Sequence, residues 1–270
     1  MIYVITAVHN RIETTRIFIN KLNQQTINES IMLVLVDDGC TDGTVEMAQK
    51  QFSNIHIIAG DGNLWWAGAM DVALRWVNSV CKKDDMVLIS NDDVDFDENY
   101  IERGISKLIK EPRNTLVSGI GVSINTHQYK TTPIFWDLKK GRGYPVGPNE
   151  YSNCVATRSL FFYAEAIRNI GYFHPKILPH YQSDYEWTIR AVKRGYTIKC
   201  YDDLTYSFDE KTCGYGNFRK LTYRQVFSKK SSCNPFYRFT FYVLVTPLHV
   251  LPVCLVNQVR RLFKNDKNLS

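Results

Sequence analysis

The chain has 270 residues, 44% of them hydrophobic and 22% charged, which fits one large folded α/β domain or a domain with an extension. Its net charge of +6 suits an anionic small substrate or an anionic lipid surface, and without a recognition helix, zinc-finger spacing or RNA-binding aromatic signature no nucleic-acid partner is expected. The seven cysteines are scattered, odd in number and free of any C-x-x-C pair, so a zinc ribbon or thioredoxin-like motif is excluded and reduced thiols in a cytoplasmic protein are expected.

The opening run, MIYVITAVHN, is too short and too poor in basic residues for a signal peptide. Ile2–Ala7 reads instead as a buried strand, followed by a helix over Arg11–Gln25. A second strand, Ile31–Val36, stops at Asp37-Asp38-Gly39, and Asp42 or Thr44 can cap the helix Val45–Phe52. Strands are predicted again at Ile55–Ile58 and Met86–Ile89, with an Ala- and Trp-rich helix, Ala67–Val80, between them. Strands alternating with helices indicate right-handed βαβ units and a mostly parallel sheet. Residues 114–160, with Gly141, Gly143, Pro145, Gly147 and Pro148, read as turns or a loop beside short strands. Asp184–Arg194 is an amphipathic helix closed by Gly195, and the strand Tyr196–Tyr201 follows. Phe239–Val256 is almost wholly apolar, is broken by Pro247, His249 and Pro252, and precedes Arg260, Arg261, Lys264 and Lys267. Its two prolines argue against a membrane span. An interfacial segment or helical hairpin held to anionic lipid is the expectation, with a helix packed on the domain as the alternative.

Ligands of such sheets bind beyond the C-terminal ends of the strands, and two polar clusters fall there. At the first, adjacent carboxylates at Asp37 and Asp38 are costly unless something is bound or hydrogen-bonded to them. One of them can accept from a base N–H or a ribose hydroxyl; an Asp-Gly turn with a helix cap is the alternative. At the second, Asn91, Asp92 and Asp93 close a hydrophobic strand with the hard oxygen ligands that Mg²⁺ or Mn²⁺ takes together with phosphate oxygens. Between them, Gly60-Asp-Gly-Asn-Leu-Trp-Trp-Ala-Gly-Ala-Met-Asp71 combines tight backbone at Gly62 and Gly68 with amides at a helix start. Trp65 and Trp66 can stack on a sugar ring or belong to the core.

The ordered set Val8-His9-Asn10, Val36-Asp37-Asp38-Gly39, Gly62-Asn63, Gly68, Asp71 and Asn91-Asp92-Asp93 resembles the family 2 glycosyltransferases of the GT-A fold, over about residues 1–210. It is similar in particular to the bacterial rhamnosyltransferase-like members that build surface polysaccharides. The resemblance implies a Rossmann-like, mixed and mostly parallel sheet flanked by helices. The expected layout is a domain over 1–230, divided into a nucleotide- and metal-binding half (1–110) and an acceptor half (111–230), with a C-terminal helical extension over 231–270. It also implies nucleotide contacts at Ala7, Asn10, Asp38, Gly62, Asn63 and Asp92, a Mg²⁺ or Mn²⁺ ligand at Asp93, and a catalytic base at Asp184 in Ser183-Asp184-Tyr185-Glu186-Trp187. Trp65, Trp66, Glu186 and Trp187 are further candidates for acceptor or sugar contacts. The expected donor is a UDP- or dTDP-sugar and the acceptor a glycan or lipid-linked glycan. The protein is then expected on the inner face of the cytoplasmic membrane.

The chain departs from the family's pattern at three points. Asn91 replaces the first acid of the metal motif, Ser183 replaces a Glu, and no His follows near Ser207–Phe208. A Gln-x-x-Arg-Trp motif of processive synthases is absent, which favours transfer of a single sugar. Lys and Arg residues over 211–229 are candidates for clamping a diphosphate or for plain solvated surface. A dinucleotide oxidoreductase would need G-x-G-x-x-G after the first strand, where Ala7-Val-His-Asn-Arg11 stands. A sugar nucleotidyltransferase would need a Gly-rich loop there, and a non-catalytic scaffold would not need acids at 38, 93 and 184.

Overall fold

A computed structural model describes residues 1–131, 133–209, 222–229, 231–232 and 234–263. The first half alternates as expected: β1 (Ile2–Val8), α1 (Ile12–Asn23), β2 (Ile31–Asp37), α2 (Thr44–Gln51), β3 (Ile55–Ala59), α3 (Trp65–Val80) and β4 (Met86–Ser90). After β5 (Val94–Asp95) come α4 (Tyr100–Lys110), β6 (Thr115–Ser123), β7 (Tyr129–Thr131), β8 (Ile134–Asp137), β9 (Arg142–Pro145) and β10 (Ser159–Tyr163). The chain continues through α5 (Ala166–Ile170), α6 (Ser183–Lys193), β11 (Thr197–Phe208), α7 (Tyr223–Val226), α8 (Pro235–Val245) and α9 (Leu251–Phe263).

The main sheet runs β3-β2-β1-β4-β10-β6-β11-β5, with β7 on the edge of β6. Strands β3, β2, β1 and β4 are parallel; β10 enters antiparallel between β4 and β6, and β6 pairs β11 in parallel. Alternation along each strand divides the core between the two faces. On one face Val34, Val36, Val87, Ile89 and Phe162 meet α3, α5 and α6. On the other Leu33, Leu35, Leu88 and Phe161 meet α1, α2 and α4. This is a mixed α/β architecture of helix, sheet and helix layers.

Two elements differ from the sequence expectation. The stretch expected to be turns begins with β6, nine residues in the interior of the sheet. Its Ser and Gly residues dilute the hydrophobic pattern, yet Gly119 is there because a Cβ would collide with the Tyr100 hydroxyl. Helix α4 carries Ile101, Ile105 and Leu108 on one buried stripe, a spacing present in the sequence that the strand-based reading passes over. At the C-terminus the hairpin and the packed helix are both realised. Helices α8 and α9 turn at Pro247, whose carbonyl accepts from the Val250 and Leu251 amides. Phe241, Tyr242, Val245 and Cys254 pack with Trp136 of β8, Leu178 and Ile189 of α6 in a third cluster. No helix among the described residues is long and apolar enough to cross a membrane.

Candidate active site

Because β1, β2 and β4 are parallel, their C-terminal ends open on one edge of the sheet. Three connections meet there, and side-chain hydrogen bonds tie them together. Asn10, at the end of β1 with φ of 50°, accepts through Oδ1 from the Thr41 amide at 2.7 Å. Its own amide donates to Cys40 Sγ at 3.2 Å, and His9 Nδ1 donates to the Asp38 carbonyl at 2.6 Å. Asp42 caps both flanking helices by accepting from the amides of Ile12 and Thr44, each at 3.1 Å. Ala7 is the half-buried residue of β1 that leads into this junction.

The two carboxylates after β2 divide their work. Asp38 accepts from the Leu64 and Trp65 amides, both at 3.0 Å, and so caps α3. Asp37 accepts from the Cys40 amide at 2.7 Å through Oδ1. The turn is closed by Gly39 (φ 78°) against Gly62 (φ 82°), where a Cβ on Gly39 would lie 2.9 Å from Gly62 Cα. Asn63 Oδ1 accepts from Trp65 Nε1 at 2.8 Å and from Lys229 at 3.2 Å. A cleft of about 300 Å³ opens at Asn63 between α3, Lys176 and Tyr237; neither Asp93 nor Asp184 lines it. Asp71 faces it, paired to Arg75 at 3.0 Å through Oδ2, while Oδ1 is buried without a hydrogen bond.

At the end of β4 the acidic cluster is matched by arginines. Asp92 is 3% exposed, accepts from Thr15 Oγ1 at 3.0 Å, and pairs with Arg11 at 2.8 Å. Burial raises its carboxyl to about 6 against the pull of Arg11, with Asp93 pushing the same way as burial. Asp93 pairs through Oδ1 with Arg158 at 2.9 Å and through Oδ2 with Arg11 at 3.4 Å. Arg158 reaches this strand end because β10 is antiparallel to β4: Ser159 sits opposite Ser90, and the Asn91 amide donates to the Arg158 carbonyl at 3.2 Å. Its guanidinium lies 4.6 Å above the Phe208 ring.

The start of α6 faces the same cluster. Asp184, in the first turn, accepts from the Tyr185 amide at 2.8 Å. Burial raises its carboxyl to about 6; the Tyr185 amide, its own amide, the Arg158 charge and the Thr157 amide pull it back. One segment therefore serves both acids, with the residue 157 amide directed to Asp184 and the residue 158 side chain to Asp93. On the approach to α6, the rings of Trp65 and His180 lie 5.7 Å apart, and His180 meets Tyr181 edge-on at 4.4 Å.

Three of the residues expected to contact acceptor or sugar are engaged by the protein itself. Glu186 is 3% exposed and holds Arg190 in a fork, at 2.8 and 2.9 Å, while Arg190 also donates to the carbonyls of Ile170 and Tyr172. That carboxylate is committed to the scaffold. Trp187 is wholly buried, stacked on Phe173 with its Nε1 donating to the Gly171 carbonyl at 2.8 Å, so it offers no face to a sugar. Trp66 is half-buried and packs against the same core. Of the cations over 211–229, Arg224 and Lys229 are described; Lys211, Arg219 and Lys220 lie outside the described residues. Sequence reasoning passes over Arg11, Thr15 and Arg158. Only the last has a signal, a lone cation immediately before the apolar β10, and its meaning depends on a strand pairing far away in the chain.

Asp93 is more exposed than Asp92, and the described residues contain no group of three or more acids, His or Cys that could hold a metal ion. A Mg²⁺-type site needs only one or two carboxylates when phosphate oxygens and water complete it. Asp93 therefore fits a divalent cation that arrives with a diphosphate.

The sequence profile described as Glycosyl transferase family 2 matches residues 3–167. No protein of curated function matches the sequence. Among solved structures the chain is similar to GalNAc-T7 with UDP, GalNAc and Mn²⁺, at 12% identity and a TM-score of 0.64, covering 77% of this chain and 44% of that one. It is similar to the mannosyltransferase PcManGT from Pyrobaculum calidifontis in complex with GDP-Man and Mn²⁺, at 13% identity and TM-score 0.59, covering 97% and 75%. It is similar also to S. aureus TarS 1–349 in complex with UDP, at 16% identity and TM-score 0.61, covering 99% and 73%. The chain thus spans less than half of the GalNAc-T7 chain. At these identities the likeness speaks for the fold, which is GT-A.

Proposed function

Because the chain belongs to glycosyl transferase family 2, we infer that it is an inverting glycosyltransferase moving one sugar from a nucleoside-diphosphate sugar to a hydroxyl of a glycan or lipid-linked glycan acceptor. The observation that carries this reading is Asp184, a carboxylate raised to about 6 at a helix start that faces the Asp92–Asp93 strand end. A base near that value is ionised at neutral pH and still a useful proton acceptor. Asp184 takes the acceptor's hydroxyl proton as that oxygen forms its bond to the anomeric carbon. The bond from this carbon to the diphosphate oxygen breaks on the opposite face, and the nucleoside diphosphate leaves with the electron pair. Attack from the opposite face inverts the configuration.

Donor contacts are assigned to Ala7, Asn10, Asp38, Gly62 and Asn63 at the junction of the strand ends, with Asp92 beside them holding Arg11 in place. Asp93 would hold Mg²⁺ or Mn²⁺, which when bound offsets the charge developing on the diphosphate. Trp65, with His180 and Tyr181, forms the aromatic wall against which a sugar would stack. The solved neighbours are complexed with UDP in two cases and with GDP-Man in a third, so the fold leaves the base open; a UDP- or dTDP-sugar is the donor proposed here.

A role in surface polysaccharide synthesis at the inner face of the cytoplasmic membrane is supported by the C-terminal segment. Residues 222–270 contain eight Lys and Arg against one acid, Asp266, and so carry +7, while the remainder of the chain is close to neutral. In the same segment Phe236, Phe239 and Val243 line the exposed side of α8, and Leu248, Val253 and Val256 are exposed beside them. Apolar side chains surrounded by cations suit an anionic lipid surface.

The decisive experiment is a radiolabelled-sugar transfer assay after a thermal-shift panel of nucleotide sugars has identified the donor, since a ligand of the folded state raises the melting temperature. Asp184→Asn is expected to abolish transfer with donor stabilisation intact. Transfer at the parent rate by that variant would remove Asp184 from the mechanism.

A further inference from the structure

Among the described residues, the acidic cluster at the end of β4 is paired with arginines: Arg11 lies 2.8 Å from Asp92 and 3.4 Å from Asp93, and Arg158 lies 2.9 Å from Asp93. Asp92 is fixed: it is buried, and Thr15 and Arg11 occupy its two oxygens. Both oxygens of Asp93 face guanidinium groups as well. A divalent cation entering alone would therefore meet two guanidiniums at a carboxylate already paired, and like charges at that distance repel. A cation entering with a diphosphate brings its own counter-charge. Arg158 can then trade partners, because a guanidinium matches phosphate oxygens as well as it matches a carboxylate.

Arg158 is placed for that exchange. Its carbonyl accepts from the Asn91 amide and its guanidinium lies on the Phe208 ring, so backbone and stem are held at the strand end while the charged head faces Asp93. It is 17% exposed, and its charge acts on Asp184 as well as on Asp93.

We propose that Arg158 is the resident counter-charge of Asp93 and moves to the donor's diphosphate on binding, so that the divalent cation and the nucleotide enter together. Arg158 is then a donor-binding residue as well as the guard of the metal ligand. This rests on the donor-binding reading above and adds to it the order of binding.

The test uses the full chain and Mn²⁺, with free Mn²⁺ followed by electron paramagnetic resonance, first alone and then with UDP, GDP or dTDP. The parent is expected to bind Mn²⁺ at least tenfold more tightly with its nucleoside diphosphate than without it. Arg158→Gln, checked for folding by its melting curve, is expected to bind Mn²⁺ alone about tenfold more tightly than the parent, and to bind the nucleoside diphosphate more weakly. A parent that binds Mn²⁺ equally well with and without nucleotide overturns the proposal, and that comparison needs no variant. So does Arg158→Gln with parental affinity for Mn²⁺ alone. If no nucleoside diphosphate binds the parent at all, the donor-binding reading itself fails, while the comparison of parent and variant in Mn²⁺ alone still decides whether Arg158 guards Asp93.

Discussion

Burial pushes the Asp184 carboxyl to about 6 while the amides of Tyr185, Asp184 and Thr157 and the charge of Arg158 hold it down. A group whose folded value lies above its unfolded value destabilises the fold when ionised. That cost is fully present above pH 6 and fades as the pH falls through 6 toward 3.8, where the folded state retains the proton more readily than the unfolded one. Asp184→Asn should therefore melt higher than the parent at pH 8, by about 1 kcal/mol, with the gain shrinking below pH 6; a variant that melts lower at pH 8 contradicts the burial argument. The same ionisation should give transfer an acid limb, with the rate falling about tenfold per unit below pH 6. Its neighbour Glu186 is tied into an ion pair with Arg190. Glu186→Ala strands Arg190 in the interior, and equilibrium denaturation should report a loss of about 3 kcal/mol.

At the scale of elements, the β2–α2 and β3–α3 connections are one unit. Gly39 and Gly62 both hold positive φ and touch across the gap, and Asp38 anchors the start of α3 from the β2 side. An alanine at 39 meets both penalties, a left-handed backbone and a Cα at 2.9 Å. Gly39→Ala should cost about 1–2 kcal/mol of stability and weaken donor binding beyond what the lower stability explains. Calorimetry with the donor would show this, and an unchanged affinity would separate the turn from the site. Trp65, also at positive φ with a value of 59°, opens α3 where a glycine would be relaxed. Its carboxylate-bound amide and its indole bond to Asn63 hold that geometry and turn the ring toward His180.

At the scale of the molecule, α8 and α9 serve two surfaces. Phe241, Tyr242 and Val245 bind them to the domain, while Phe236, Phe239 and Val243 point away from it. Phe236→Ser with Phe239→Ser should leave the melting temperature within a few degrees of the parent, because both side chains are exposed. Co-sedimentation with vesicles containing phosphatidylglycerol should fall severalfold, whereas neutral phosphatidylcholine vesicles should bind neither protein well. Undiminished sedimentation of the double variant would detach the apolar row from membrane binding.

What the sequence determined by itself is local in origin. The β-branched runs of β1, β2 and β4, the polar residues that end them and the Gly–Asn turn before α3 are short-range patterns, and they specify the βαβ half and the acids at 37, 38, 92 and 93. The start of α6 is legible in the same way, from Asp184 to the Gly195 stop. The tertiary structure decided what each acid is free to do, because charge balance depends on which strands are neighbours. Antiparallel insertion of β10 beside β4 brings Arg158 to Asp93, a fork to Arg190 withdraws Glu186, and the α3 amides engage Asp38. Trp187 shows the limit most simply: helical spacing says that a ring is present, and only packing against Phe173 and Phe162 says that it belongs to the core.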